Sequence, residues 1–196
     1  MKRQIGLLMA VILLAAGCNT SPNSGANPTS ARAEATAAID SVSTINSAMK
    51  THIDKLSGIA FDYPSAWSIV EPAADGAVIY TYTIASFDLN DPAGKSEGDL
   101  QSGQTKIDVT FYSADETPDS ARRTVQSDVE SGMVVISKSE TRTAPDGSPA
   151  YYYVIQGRLG GTAQVLYTRI DGRSVGVVAY GDGANFEDVV KSLRKA

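Results

Sequence analysis

Residues 133–180 read MVVISKSETRTAPDGSPAYYYVIQGRLGGTAQVLYTRIDGRSVGVVAY. Four strand-like runs, Met133–Thr143, Ala150–Gln156, Ala163–Ile170 and Ser174–Tyr180, are separated by Pro145-Asp146-Gly147, Gly160-Gly161 and Asp171-Gly172. Asp-Gly supplies two residues that accept positive φ, which is what a two-residue hairpin turn demands. Three consecutive short connections predict an antiparallel meander. Tyr151, Tyr153 and Ile155 occupy one parity and Tyr152 and Val154 the other. Strands apolar on both parities are covered on both faces.

Upstream, Ile59–Tyr63 alternates and stops at Pro64, and Trp67–Glu71 restarts after a tight Pro-Ser-Ala connection. Ala77–Ala85 places Val78, Tyr80, Tyr82 and Ile84 on one face, and Thr105–Tyr112 does the same with Ile107, Val109 and Phe111. Both have the two-residue period of a half-buried strand. Thr117-Pro118-Asp119 opens a helix with a cap, a first-turn proline and an acid at the positive end. Ala121, Val125 and Val129 form its expected buried stripe, and Gly132 its stop. A closing helix is capped by Asn185 and buries Phe186, Val189, Val190 and Leu193, with Lys191, Arg194 and Lys195 at its negative end. The expected class is α+β: an antiparallel sheet of about six to eight strands sandwiched between helices, an α/β/α arrangement.

The N-terminus reads as an address. Lys2 and Arg3 precede an apolar run, Ile5–Ala16, too short for a span of roughly 20 residues. It ends in Leu14-Ala15-Ala16-Gly17-Cys18, which resembles the lipobox of bacterial lipoproteins, with Ala15 where Leu is usual. That resemblance implies a signal peptide over 1–17 and a covalent lipid on Cys18, the chain's one thiol. It also implies a place on the extracytoplasmic face of a bacterial membrane, in the cell envelope or periplasm. Residues 18–36, rich in Ser, Asn, Pro and Gly, read as a flexible tether. Ile39, Val42, Asn46, Met49, Ile53 and Leu56 recur at helical spacing, so 37–57 reads as a helical neck, with His52 as a solvated side chain beside the stripe. The domain proper is expected over 58–196.

Gly58-Ile59-Ala60-Phe61-Asp62-Tyr63-Pro64-Ser65-Ala66-Trp67 resembles the opening hairpin of the PsbP-like family, in which an aromatic-Pro-x-x-Trp turn begins an antiparallel sheet between helices. The middle helix, meander and closing helix follow in the family's order. The family includes photosystem II extrinsic proteins, a eukaryotic factor that binds the Ran GTPase, and bacterial lipoproteins. The resemblance implies a non-enzymatic module that binds a larger protein partner.

Composition narrows the chemistry. The whole chain has 17 basic and 22 acidic residues and a pI near 4.9, which argues against nucleic acid. Removing 1–17 leaves 15 against 22, so an acidic body is expected to stand off anionic headgroups. One Cys and one His exclude an internal disulfide and His-rich metal sites. No phosphate loop, nucleophile elbow or dinucleotide fingerprint is present. Asp88, Asn90 and Asp99 fall on a calcium-loop template, but Pro92 and Ala93 break it. Asp115, Glu116 and Asp119 read as helix capping, and Arg122 and Arg123 as partners of nearby acids, with Asp119 and Arg123 one turn apart. Gly181-Asp182-Gly183-Ala184-Asn185 has the form of an anion cradle at a helix start, but Asp182, Glu187 and Asp188 argue against it. Trp67 is expected under the sheet rather than on a ligand.

Two functions follow. The leading expectation is a lipid-anchored binding or assembly module for an envelope or membrane protein complex, monomeric, without catalytic residues, cofactor or metal. The alternative is a small-ligand carrier or sensor whose groove is lined by Tyr80, Tyr82, Tyr151, Tyr152, Tyr153 and Tyr167.

Overall fold

The computed structural model describes residues 48–72, 79–90, 100–158 and 161–196. The order is β1 (Met49–Asp54), β2 (Ile59–Pro64), β3 (Ser68–Val70), β4 (Tyr80–Ala85), β5 (Thr105–Phe111), α1 (Pro118–Glu130), β6 (Val134–Thr143), β7 (Pro149–Gly157), β8 (Thr162–Ile170), β9 (Arg173–Gly181), α2 (Phe186–Ser192) and β10 (Arg194–Lys195). Seven strands form one antiparallel sheet in the order β3-β4-β5-β9-β8-β7-β6, and β1-β2-β10 form a second. The meander is β6 to β9, and its last turn has Asp171 at φ 48° and Gly172 at φ 80°, both left-handed as that hairpin requires.

The two parities of the large sheet serve two cores. On one face Tyr82, Ile84, Val109, Phe111, Val175, Val177 and Leu166 meet Ile59 and Phe61 of β2 and Phe186 and Val189 of α2. The small sheet and α2 therefore form the layer over this face. On the other, Val165, Tyr167, Tyr153 and Ala163 meet Ala121 and Val125 of α1. The α+β class and the layers are as expected.

Several local expectations are corrected. Residues 49–54 are a strand, not the end of a helical neck; the remainder of that neck, the signal peptide, Cys18 and the tether lie outside the described residues. Pro64 to Trp67 is a corner between two sheets rather than a hairpin: Trp67 N donates to Pro64 O at 2.9 Å, and β2 and β3 belong to different sheets. Trp67 packs against the core, partly buried. The closing helix stops at Ser192, because Leu193 turns extended (φ −58°, ψ 121°) and Arg194-Lys195 pair with Ala60 and Ile59. Asn185 sits at its N-cap in the left-handed region (φ 61°) and makes no side-chain cap bond. Thr117 caps α1 through a reciprocal box with Ser120, and Val129 lies exposed instead of completing the buried stripe.

Candidate functional site

The chemistry-bearing side chains of the interior are engaged in folding. Asp54 ends β1 with only 1% of its surface exposed. Tyr80 Oη donates to its Oδ2 at 2.6 Å, Tyr82 Oη to its Oδ1 at 2.9 Å and the Ser57 amide to Oδ2 at 2.8 Å. Burial pushes this carboxyl up, but the bonds from Ser57, Tyr80 and Tyr82 outweigh burial and hold it below the usual carboxylate range. Burial, then the bond to Asp54, pushes the Tyr80 phenol up to about 12. Tyr82 moves upward for the same two reasons. The result is a clasp: one charged acceptor at the β1–β2 turn holds two phenols of β4 and ties the small sheet to the large one.

His52, the chain's one histidine, faces the same way. Its ring lies 4.5 Å from that of Tyr82 and 5.2 Å from that of Phe61. Its Nε2 is buried with no hydrogen-bond partner among the described residues, so the expected solvated histidine is a packing residue.

The six tyrosines of the expected groove do not share a surface. Tyr80, Tyr82 and Tyr152 are buried in the core beneath the small sheet and α2, whereas Tyr153 and Tyr167 are buried beneath α1. Tyr151 lies at the edge of that second core, where its hydroxyl donates to Asp119 at 2.7 Å. Asp119 pairs with Arg122 at 3.6 Å, not with Arg123. Asp182, the acid that argues against an anion cradle at Gly181–Asn185, accepts the Gly103 amide at 2.7 Å. Asp88 accepts the Asn90 amide at 2.9 Å, and Asp99 lies outside the described residues. Among the described residues no group of three or more His, Cys, Asp or Glu is placed to hold a metal.

What remains available is surface. Large apolar side chains are exposed in two stretches of the described chain. In the first, Val129 lies near the end of α1 and Met133 and Val135 at the start of the edge strand β6, Val135 being 63% exposed; Ile136 packs on the α1 side, so Val135 is on the opposite face of β6. The rest of β6 carries a register shift between Ile136 and Lys138, and ion pairs from Lys138 and Arg142 to Glu140. A bulge and charges are the devices that keep an edge strand from pairing with another chain. The second stretch is β1 and its turn, where Met49, Ile53 and Leu56 are exposed. Among the described residues no helix is long and apolar enough to cross a membrane.

No family model matches the chain, and no curated protein sequence does. The chain is similar in structure to the cyanobacterial PsbP protein of Synechocystis sp. PCC 6803, with a TM-score of 0.48 and 14% identity over 81% of this chain and 99% of that one. It is also similar to PA94, a protein of unknown function from Pseudomonas aeruginosa, with a TM-score of 0.35 and 12% identity over 71% and 87% of the two chains.

Proposed function

We propose that this protein is a lipid-anchored extracytoplasmic module that binds a component of an envelope or membrane protein complex and performs no chemistry itself. The anchor is Cys18, carrying a covalent lipid after removal of residues 1–17. The observation that carries the reading is the exposure of Met133 and Val135 at the start of the edge strand β6. It lies on the rim of the large sheet, several strands away from β4, to which the clasp ties the anchored strand. Apolar side chains left exposed on an edge strand offer a surface that a partner can cover. The carrier alternative has less support, because its tyrosines are divided between two filled cores.

The test is crosslinking of the full-length protein in its own membranes, followed by mass spectrometry. The expected result is one dominant envelope protein whose recovery falls with Val135→Asp. No reproducible partner, or a partner indifferent to Val135→Asp, overturns the reading. In the same membranes Cys18→Ser is expected to move the protein to the soluble fraction; continued anchoring contradicts lipidation.

A further inference from the structure

Among the described residues four strands stand at the edges of the two sheets: β3 and β6 of the large one, β1 and β10 of the small one. An edge offers unpaired N–H and C=O groups to any extended chain, and folds blunt it by shortness, bulges or charge. β3 has three residues and β10 two. β6 has its register shift and its charges. β1 has six residues, no proline and an unbroken register with β2.

The bonds around β1 decide which of its backbone groups face outward. Ser65 N donates to Ala48 O at 2.7 Å, so Ala48 is a hydrogen-bonded position of the ladder. Such positions alternate in an antiparallel pair, which turns the groups of Lys50 and His52 toward β2 and those of Met49, Thr51 and Ile53 toward the open side. Two observations on β2 agree. Pro64, with no N–H to give, stands opposite Met49. The Asp62 amide, opposite Thr51, donates away from β1 to Ser192 Oγ at 2.7 Å. The side chains of Met49, Thr51 and Ile53 share the face away from the core, because His52 and Asp54 point into it. All three are exposed, Met49 by 41% and Ile53 by 52%.

The outward positions of β1 therefore read the same in both directions: apolar, threonine, apolar, with an N–H and a C=O at each. In place of the monomer expected from the sequence, we propose that β1 pairs antiparallel with β1 of a second copy of this chain, about a two-fold axis at Thr51. Met49 then meets the partner's Ile53, Thr51 the partner's Thr51, and Ile53 the partner's Met49. Every outward backbone group of both strands is satisfied, and the exposed apolar side chains become cross-strand pairs. Moving the axis one residue either way sets Thr51 against an apolar side chain and leaves one end without a partner inside the strand. The palindrome selects a second copy over an unrelated chain, because one register satisfies both members at once. Charge does not oppose the approach at the axis: Asp62, which accepts from Thr51 at 2.6 Å, is paired with Arg194 at 3.0 Å. The two small sheets become one of six strands in the order β10-β2-β1-β1-β2-β10. The large sheet takes no part, so β6 is left to the partner proposed above.

The test is disulfide trapping of the full-length chain in intact cells. Thr51→Cys puts a thiol at the axis, where hydrogen-bonded partners lie about 5.5 Å apart between Cα atoms, a separation that a disulfide spans. A membrane-permeant azodicarboxamide oxidant takes up the two hydrogens released as the S–S bond forms between the two thiols. The controls are Ser139→Cys on exposed β6 and the native chain, whose one thiol is Cys18. Expected is an adduct of twice the chain mass with Thr51→Cys and with neither control. The register is tested by two further chains, both carrying Thr51→Cys. Met49→Lys with Ile53→Lys sets like charges opposite each other at both ends, and Met49→Lys with Ile53→Glu sets opposite charges there. The second should give about ten-fold more adduct than the first, from two cross-strand pairs that change sign. An adduct no more abundant at position 51 than at 139, or one of another mass, overturns the pairing. A like-charge chain trapped as well as the opposite-charge one overturns it too. If neither charged chain accumulates in cells, Thr51→Cys against Ser139→Cys still decides.

Discussion

Removing the clasp tests whether the small sheet depends on it. Asp54→Ala takes away the acceptor for Tyr80 at 2.6 Å, for Tyr82 at 2.9 Å and for the Ser57 amide at 2.8 Å. Tyr80 and Tyr82 are both buried, so their hydroxyls are left with little water to turn to. An orphaned buried polar group costs about 1–3 kcal/mol, and the turn bond at Ser57 adds about 1 kcal/mol. The expected loss is about 4 kcal/mol, against a total stability of about 5–15 kcal/mol for a domain. At roughly 3 °C per kcal/mol for this size, the melting temperature should fall by about 12 °C. Urea denaturation followed by near-ultraviolet circular dichroism reads the loss in the tyrosine bands. The triple variant Asp54→Ala, Tyr80→Phe, Tyr82→Phe removes the orphaned hydroxyls along with the acceptor. It should regain more than half of the loss, because both partners are now apolar. A loss under about 1 kcal/mol, or a triple variant as weak as the sum of its parts, would refute the clasp as the cause.

Other outcomes follow from the same contacts. The folded-state pKa of Asp54 is depressed, so the stability it contributes is present above the unfolded value of about 3.9 and is lost as pH falls through the folded value. Urea midpoints should decline below about pH 4, and Asp54→Asn should flatten that decline. Tyr80 is raised to about 12, so its contribution holds below the unfolded value of about 10 and disappears as pH climbs through about 12, a limb that Tyr80→Phe should remove. Gly181→Ala brings a Cβ into the Gln104 carbonyl at a φ of +80°, where backbone meets backbone; a loss of at least about 2 kcal/mol in urea is expected. A neutral result there would mean that the β5–β9 pairing can shift.

Elements fixed by neighbouring residues were legible in the sequence. The Asp171-Gly172 turn, the Thr117 cap and the alternation of Thr105 to Phe111 each state their conformation within a few positions. β1 was not legible for a physical reason. Met49, Ile53 and Leu56 recur at helical spacing, yet all three are exposed, so the stripe never faced a core. The residues that decide β1 are His52 and Asp54, whose partners Phe61, Tyr80 and Tyr82 lie in other strands. A long-range pairing overrode a local period. The one local trace was Asp54-Lys55-Leu56-Ser57-Gly58, where Asp and Ser bond within a turn closed by Gly58 at φ 68°. β10 was hidden in the same way: Lys191, Arg194 and Lys195 suit a helix end, but only Lys191 is in the helix, and β2 offers the other two an open edge. The tyrosines misled for the opposite reason, since adjacent positions on a doubly covered strand point into different cores.

The placement of Asp54 bears on how an anchored domain holds its position. In the proposed anchored protein a pull from the N-terminal side would reach the described fold at β1, whose ladder with β2 runs from Met49 opposite Pro64 to Asp54 opposite Ile59. A ladder pulled from one end opens bond by bond, and a tie at its far end is the last contact to give. Asp54 is that far end, and it is tied to Tyr80 and Tyr82 of the large sheet. The same turn carries Leu56 and Lys55 outward. One short segment thus faces its carboxylate inward to the fold and its apolar tip outward. Loosening the clasp should therefore lower the urea midpoint, whereas Lys55→Gln on the exposed turn should leave it unchanged. That asymmetry separates the inward carboxylate, which ties the two sheets, from the outward side chains of the same turn.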